Sequence, residues 1–260
     1  DGACAMIRIA ATLLLLLAAC SAPTAPPFPI GPMVIGDSAP VRFAGRQPTS
    51  LPVRGMDAAR FQQYVDWPRA KTVGIEFAFL KATEGGDLLD PKFNDHWRGA
   101  NRAGIARGAY HFYYFCTAPE VQARWFIRNV PRTRGSLPPV LDMEWNPFSP
   151  TCQRRPDAAT IRAEMQRWLD IVEAHYGQRP LIYTTPGFYE DAQLNRLNGY
   201  EFWLRTTAKT PEQAYPGQPW RFWQYTATGT LPGTPGDIDI NAFNGSATAW
   251  ENWKAERSIR

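Results

Sequence analysis

The amino-acid sequence predicts an α/β fold in which a largely parallel sheet closes into a barrel, and three observations favour this fold. Eight short apolar runs are typical of buried strands, and helical patterns alternate with most of them. Acidic residues stand at the ends of several runs, and barrel enzymes carry their functional groups at the carboxyl ends of the strands. The length of 260 residues suffices for one large domain with a sizeable core.

The predicted strands are short, apolar runs. In chain order they span residues 52–57, 75–81, 108–113, 139–144, 181–184, 201–205, 222–225 and 237–241. The last three leave little room for helices between them, so we expect helices mainly in the earlier part of the chain.

Four helices are predicted between these strands, at residues 91–103, 119–130 and 158–176, with a shorter one after Pro186. The third has the clearest pattern, because its apolar residues recur at helical spacing. These residues are Ile161, Met165, Trp168, Leu169 and Val172. Asp157 is a plausible N-terminal cap for this helix.

The N-terminal residues have the pattern of an export signal. Met6 and Arg8 precede an almost unbroken apolar stretch, residues 9–17, which is too short to span a bilayer as a helix. Residues 17–20 (Leu-Ala-Ala-Cys) resemble the lipobox of bacterial lipoproteins, in which the cysteine is diacylated and cleavage falls just before it. An ordinary cleavable signal peptide with a chance cysteine is the alternative.

We therefore expect three regions. Residues 1–20 are the signal peptide with its lipobox, cleaved before Cys20; residues 21–50 are a flexible Pro/Ala-rich tether; residues 51–260 are the catalytic barrel domain. The protein is expected to be exported and lipid-anchored to the bacterial envelope. Ser21 after the cysteine indicates the outer membrane, on its periplasmic side.

The cysteines and the charge limit the remaining possibilities. Loss of the signal and lipidation of Cys20 would leave Cys116 and Cys152, which an exported protein can join in a disulfide. No Cys/His cluster has metal-ligand spacing, so we predict neither a metal nor a cofactor. The net charge of +4, without runs of Lys or Arg, is not accompanied by a nucleic-acid-binding motif.

The apolar run at residues 137–145 (Leu-Pro-Pro-Val-Leu-Asp-Met-Glu-Trp) ends in two carboxyl groups, Asp142 and Glu144. Side chains two positions apart on a strand share a face, with their bases about 6–7 Å apart. Glycoside hydrolysis uses such a pair, one group to protonate the leaving oxygen and one to stabilise or capture the oxocarbenium ion. Asp57 and Asp239 fall on the first and last predicted strands, so we expect all four acids at one mouth of the barrel.

Several segments, in the expected order, resemble the glycoside hydrolase family 25 lysozymes, the muramidases sometimes called Chalaropsis-type. The segments that carry the resemblance include Arg-Gly-Met-Asp at 54–57, Phe-Leu-Lys-Ala-Thr-Glu-Gly at 79–85, Gly-Ala-Tyr-His-Phe at 108–112, Leu-Asp-Met-Glu at 141–144, Trp-Gln-Tyr at 223–225 and Ile-Asp-Ile-Asn at 238–241. The similarity covers nearly all of residues 52–245. It implies an irregular TIM-like barrel of (β/α)5(β)3 type in a single domain.

The resemblance also implies a reaction and its residues. The reaction is hydrolysis of the β-1,4 bond between N-acetylmuramic acid and N-acetylglucosamine in peptidoglycan, with Glu144 as the general acid/base. Asp142 is then either a nucleophile or a partner that orients the substrate's own N-acetyl group, whereas Asp57 and Asp239 shape the electrostatics of the cleft. The expected partners are peptidoglycan glycan strands and, through the lipid anchor only, the membrane.

Six residues are candidates for the substrate-binding walls of the cleft: Tyr110, Tyr113, Tyr183, Trp203, Trp223 and Gln224. Each aromatic residue has the core of the barrel as its alternative location. Lys81 could pair with an acid inside the barrel, and Glu84 is interpreted as structural. The alternative function is a non-catalytic peptidoglycan-binding lipoprotein on the same fold, which the presence of all four acids disfavours.

Overall fold

Eight of the ten strands in the described part of the chain, residues 34–260 of the computed structural model, form a closed barrel. In chain order the strands are β1 (Gly36–Asp37), β2 (Arg54–Ala58), β3 (Ile75–Glu84), β4 (Leu88–Leu89), β5 (Ala106–Phe112), β6 (Val140–Met143), β7 (Leu181–Thr184), β8 (Phe202–Arg205), β9 (Phe222–Leu231) and β10 (Thr234–Phe243). The short strands β1 and β4 lie outside the barrel. Each barrel strand overlaps a predicted strand, and the predicted fold class is confirmed.

The barrel closes through two antiparallel pairings. The six strands β2, β3, β5, β6, β7 and β8 pair in parallel, each with the next, and β9 adds in parallel to β8. β10 then runs antiparallel to both β9 and β2. Because seven of the eight strands point the same way, their carboxyl ends meet at one mouth of the barrel.

Seven helices lie in the described residues, and four of them match the predicted ones. The helices are α1 (Trp67–Thr72), α2 (Phe93–Arg102), α3 (Pro119–Asn129), α4 (Ala158–Tyr176), α5 (Pro186–Asp191), α6 (Pro211–Ala214) and α7 (Ala247–Arg257). The predicted cap of α4 is present, since Asp157 accepts hydrogen bonds from the backbone N–H groups of Ala159 and Thr160. The left-handed Gly177, at φ 69°, ends this helix.

Large side chains fill the barrel interior on the side away from the mouth. They come from alternate residues of the strands and from the segments beside them: Val53, Phe77, Phe79, Tyr110, Leu137, Val140, Leu181, Tyr183, Trp203, Phe222, Phe243, Trp250 and Trp253. Gly55 on β2 provides room for them, because a Cβ atom there would lie 2.4 Å from the ring of Phe77. The interior is therefore a packed core below the mouth, as in other barrels of this size.

Helix α7 covers the amino-terminal end of the barrel and was not predicted. Its Trp250 and Trp253 stack at 5.6 Å between ring centres and are both buried. Glu201 holds the helix in place by accepting hydrogen bonds from the indole N–H of Trp253 and from Arg257. The helices α1 to α5 pack on the outer face of the barrel and bury a second, larger apolar cluster.

Residues 34–50 pack against the barrel, so the predicted flexible tether over residues 21–50 is wrong for this part. β1 pairs with β9, and the buried Phe43 contacts Trp223 edge-on with 4.9 Å between ring centres. Pairing by β1 covers an edge of the β9–β10 hairpin that would otherwise be exposed. Residues 1–33, which include the predicted signal peptide and Cys20, lie outside the described residues.

The β9–β10 hairpin rises beyond the mouth of the barrel. Arg205, the last residue of β8, is paired with Gln224, and β9 continues from there to Leu231. β1 joins the hairpin in this upper part, where Gly36 is paired with Thr230. No helix within residues 34–260 is long and apolar enough to cross a membrane.

Candidate active site

The structure brings the four predicted acids to the mouth of the barrel. Asp57 on β2 and Asp239 on β10 are directly paired across the two strands. Asp142 is the third residue of β6, and Glu144 follows the last residue of that strand. All four line one central cleft, which encloses about 1070 Å³.

Asp57 is held by two side-chain amides. Gln224 and Asn241 each donate a hydrogen bond to the same oxygen of Asp57, Oδ2, at 2.8 Å. The hydroxyl of Tyr183 donates to Gln224 at 3.0 Å, and the indole N–H of Trp203 donates to Asn241 at 2.7 Å. These two outer bonds fix which way each amide points, so Asp57 is positioned by a fully connected network.

Asp57 and Asp239 form a pair in which protonation is favoured. Burial and the neighbouring charge of Asp239 raise the pKa of Asp57 well above its usual range, against the opposing effect of the two amides. Burial also raises the pKa of Asp239, to about 6, although Arg205 and the hydrogen bond with Asp57 lower it. Of the two, Asp57 is therefore the group that keeps a proton more readily, and Asp239 is the group that ionises more readily.

Asp142 and Glu144 form a second pair in which protonation is favoured. Burial and the charge of Glu144 raise the pKa of Asp142 well above its usual range. Burial raises the pKa of Glu144 as well, against the lowering effects of Arg205 and Lys81. Asp142 is 5% exposed and its Oδ1 has no hydrogen-bond partner among the described residues, whereas Glu144 is only partly buried. Glu144 is thus the more accessible member of the pair for a ligand in the cleft.

Lys81 pairs with an acid inside the barrel, as the sequence suggested. Its Nζ donates to Glu84 at 2.6 Å, and the hydroxyl of Tyr114 donates to the other oxygen of Glu84 at 2.5 Å. Burial of Glu84 is outweighed by these two partners, so its pKa is lowered and Glu84 stays charged. Glu84 therefore neutralises Lys81 and does not line the central cleft.

Of the six predicted wall residues, Tyr110, Tyr183, Trp203 and Gln224 lie in the cleft, and Tyr113 and Trp223 do not. The complete lining is Asp57, Ala58, Ala59, Phe61, Gln62, Lys81, Tyr110, Phe112, Asp142, Glu144, Tyr183, Trp203, Arg205, Gln224 and Asp239. Tyr113 points outward from the barrel and donates to Glu164 on α4. Trp223 is fully buried on the outer face, where its indole N–H donates to the carbonyl of Thr206.

Strand geometry explains why Tyr113 and Trp223 lie outside the cleft. Successive residues of a strand point to opposite faces, so the neighbours Trp223 and Gln224 cannot both face inward. Tyr113 likewise follows the inward-facing Phe112. The same alternation could have identified Asn241 and Arg205, because Asn241 lies two residues after Asp239 and Arg205 lies two residues after Trp203. Phe61 and Gln62 come from a loop after β2, which carries no periodic signal.

The predicted disulfide is present between Cys116 and Cys152. It fastens the segment after β6 to the segment after β5, beside Glu144. Among residues 34–260, no group of three or more His, Cys, Asp or Glu side chains is arranged to hold a metal ion. The charged and amide side chains that line the cleft are four carboxyl groups, two amides and the cations of Lys81 and Arg205.

Comparisons with known proteins agree with this geometry. A family model described as "Glycosyl hydrolases family 25" matches residues 56–234. The uncharacterized protein YegX of Escherichia coli (strain K12) is 35% identical over 210 residues, covering 78% of this chain and 74% of YegX. Lysozyme M1 of Streptomyces globisporus is 34% identical over 270 residues, covering 92% of this chain and 89% of its own length. A solved structure of a family 25 glycosyl hydrolase from Bacillus anthracis has a TM-score of 0.74 at 31% identity, covering 84% of this chain and 98% of that one.

Proposed function

The chain belongs to glycosyl hydrolase family 25 and is a peptidoglycan muramidase, and we propose that Glu144 and Asp142 carry its reaction. One observation carries this assignment. The two carboxyls occupy the carboxyl end of β6 inside one cleft, and burial raises the pKa of Glu144, which favours the protonated form that an acid catalyst needs.

Glu144 acts as the general acid/base. It is the more accessible of the two carboxyls and can donate its proton to the oxygen of the β-1,4 bond between N-acetylmuramic acid and N-acetylglucosamine. After the bond breaks, the Glu144 carboxylate takes a proton from the attacking water. Lys81 and Arg205 line the same cleft and stabilise this carboxylate once it is charged.

Asp142 is the anionic member of the pair when Glu144 carries the proton, because protonation of Glu144 removes the charge that helps to raise the pKa of Asp142. Transfer of the Glu144 proton to the leaving group creates positive charge on the ring, and an anionic Asp142 stabilises that charge. Asp142 is buried and has few hydrogen-bond donors, so it interacts with the substrate more strongly than an exposed carboxylate would. Asp57, its amide network and Asp239 keep the opposite wall of the cleft rigid and acidic.

Reducing-end release from purified peptidoglycan tests these roles. We expect Glu144→Gln and Asp142→Asn each to lower kcat at least about 100-fold, the usual effect of losing a general acid or a charge-stabilising group. Glu251→Gln on α7 makes the same chemical change at an exposed site and should leave the rate unchanged. Mass spectrometry should find N-acetylmuramic acid at the new reducing ends.

Two outcomes would contradict the proposal. Equal activity of the wild type and Glu144→Gln would remove Glu144 from the mechanism. Tight binding of peptidoglycan by the wild type without any release would favour the non-catalytic binding protein that the sequence left as the alternative.

We further propose that the protein is exported and anchored by a lipid on Cys20, at the periplasmic side of the outer membrane. The signal pattern at residues 6–20 supports export, and so does the Cys116–Cys152 disulfide, because disulfides persist in oxidising compartments. The mass of protein extracted from membranes should include a diacylglyceryl group. Its persistence in Cys20→Ala would contradict the proposed anchor.

A further inference from the structure

Three cavities meet at Glu144, and the mechanism above uses only the central cleft. A side groove of about 1280 Å³ extends from Glu144 between Phe61 and Phe148. A third cavity of about 600 Å³ lies between the ends of β5 and β6, and we call it the arginine pocket. Its lining includes Glu144, Trp145, Asn146, Cys152, Arg154 and Arg155.

The three cavities form a branched surface. The central cleft and the side groove share Phe61, Lys81 and Phe112 in addition to Glu144, so together they form one continuous channel. The arginine pocket shares only Glu144 with the central cleft, and it also adjoins the side groove beside Glu144 through Tyr114, Trp145, Asn146 and Pro147. A polymer lying in the channel can therefore send a substituent into the arginine pocket from the point at which Glu144 acts.

The arginine pocket and the central cleft differ in charge. The cleft contains four carboxyl groups, whereas Glu144 is the one acidic residue that lines the pocket. Arg154 is engaged, since it donates to the carbonyl of Phe115 at 2.7 Å and pairs with Glu164 at 3.2 Å. Arg155 lies over the ring of Trp145 at 4.8 Å and forms no ion pair within residues 34–260. Its charge is thus available to an anionic group.

The wall that carries Arg155 is held in place before any ligand arrives. Cys152 is bonded to Cys116, and the indole N–H of Trp145 donates to Asp191 at 2.8 Å. The hydrogen bond to Asp191 therefore holds the ring of Trp145, and the disulfide holds the segment that carries Arg155. A preformed site of this kind loses little conformational entropy on binding.

We propose that the arginine pocket binds a carboxylate of the peptide stem of peptidoglycan, and that Arg155 is the residue that recognises it. This inference rests on the proposed muramidase function and names a further part of its substrate. Each N-acetylmuramic acid is a branch point, because its lactyl group carries a short peptide with free carboxylates. A glycan strand with such a branch matches the shape of the three cavities. The charge of the stem matches the arginine pocket and not the acidic cleft.

Two substrates made from one peptidoglycan preparation test this proposal. One retains its peptide stems, and the other has been stripped of them by an amidase. We expect the wild type to show a kcat/KM about tenfold higher on the stem-bearing strands, a typical effect of one charge-assisted hydrogen bond. Arg155→Gln should lose this preference and keep the wild-type rate on stripped strands, whereas Arg155→Lys should retain part of it.

Arg134→Gln is the matched control. Arg134 is exposed at the opposite end of the barrel, so its loss changes the net charge equally without touching the pocket. It should leave both rates unchanged. An equal loss by Arg155→Gln on both substrates, or no loss on either, would overturn the proposal. If the wild type cleaves neither substrate, the result would instead contradict the muramidase function itself.

Discussion

At the scale of single residues, the wall of the cleft opposite Glu144 carries two paired carboxyl groups with raised pKa values, Asp57 and Asp239. Asp57 accepts two amide hydrogen bonds on one oxygen, which leaves its other oxygen for a hydrogen bond with Asp239. Keeping Asp239 charged in this partly enclosed position costs stability, because burial disfavours the ionised form. We infer that this cost is retained for function, as is common in active sites.

Asp239→Asn should remove this cost. The pKa of Asp239 is raised to about 6 in the folded protein, so its contribution to stability is complete below about pH 4 and is lost as the pH rises through 6. The stability of the variant relative to the wild type should therefore increase by about 1–3 kcal/mol between pH 4 and pH 7. Urea unfolding of both proteins at several pH values measures this difference. Two parallel stability curves would contradict the raised pKa.

Residue identity alone could not assign the inward-facing side chains. Trp223 and Gln224 were both predicted to bind substrate, yet they are neighbours on β9 and point to opposite faces. The positions of the acids were predictable because both the family motifs and the ends of the predicted strands place them at the mouth of the barrel. The aromatic residues were ambiguous because the barrel buries them both inside and outside. Counting from Asp239 in steps of two along β10 selects Asn241, and an inward-facing Gln224 places its neighbour Trp223 on the outer face.

At the scale of elements, the segment that follows β6 is the most specialised part of the mouth. It carries Glu144 at its start, and it is tied to the segment after β5 by the Cys116–Cys152 disulfide. The two cysteines are 36 positions apart in the sequence, and the loop that they close includes all of α3 and β6. The position of the arginine pocket relative to the general acid therefore depends on a covalent link.

Replacing both cysteines, Cys116→Ser with Cys152→Ser, should lower the free energy of unfolding by about 3–4 kcal/mol in the chain-entropy model for a loop of this length. Guanidinium unfolding with and without a reductant measures the effect. The reduced wild type is the control and should match the variant, whose own stability should not respond to reductant. Equal stability of the oxidised and reduced wild type would contradict a stabilising disulfide.

The elements that the sequence predicts well are those with a strong pattern of their own. The barrel strands are apolar runs, and α4 has both its helical spacing and its cap at Asp157. Helices α1 and α6 have six and four residues, too few for a periodic signal. Helix α7 buries only Trp250 and Trp253, and its other residues are polar or small, so packing against the barrel end decides its structure.

At the scale of the whole molecule, the barrel domain begins earlier than its composition indicates. The segment before β2 is rich in Pro, Ala and Gly, which is typical of a tether. One aromatic residue and one strand pairing are enough to fix it, since Phe43 packs on Trp223 and β1 pairs with β9. A segment that is held by so few apolar contacts has the same composition as a flexible linker, so composition alone could not identify it as part of the fold.

Phe43→Ala tests whether this segment is part of the fold. Removal of a buried phenylalanine ring should lower the free energy of unfolding by about 3 kcal/mol. Val41→Ala is the control, because Val41 is 47% exposed and its change should stay within about 0.5 kcal/mol. Denaturation in urea measures both. Equal effects of the two substitutions would show that the segment is not packed in solution.

The position of β1 also sets the direction from which the chain reaches the barrel. Gly36 is paired with Thr230 near the tip of the hairpin that rises above the mouth, so residue 34 lies on the side of the cleft. The opposite end of the barrel is covered by α7. The first described residues therefore join the barrel at the end that carries the open cleft and not at the end that α7 closes. Any group fused directly before residue 34 is thus expected to crowd the mouth of the cleft more than a group fused after α7.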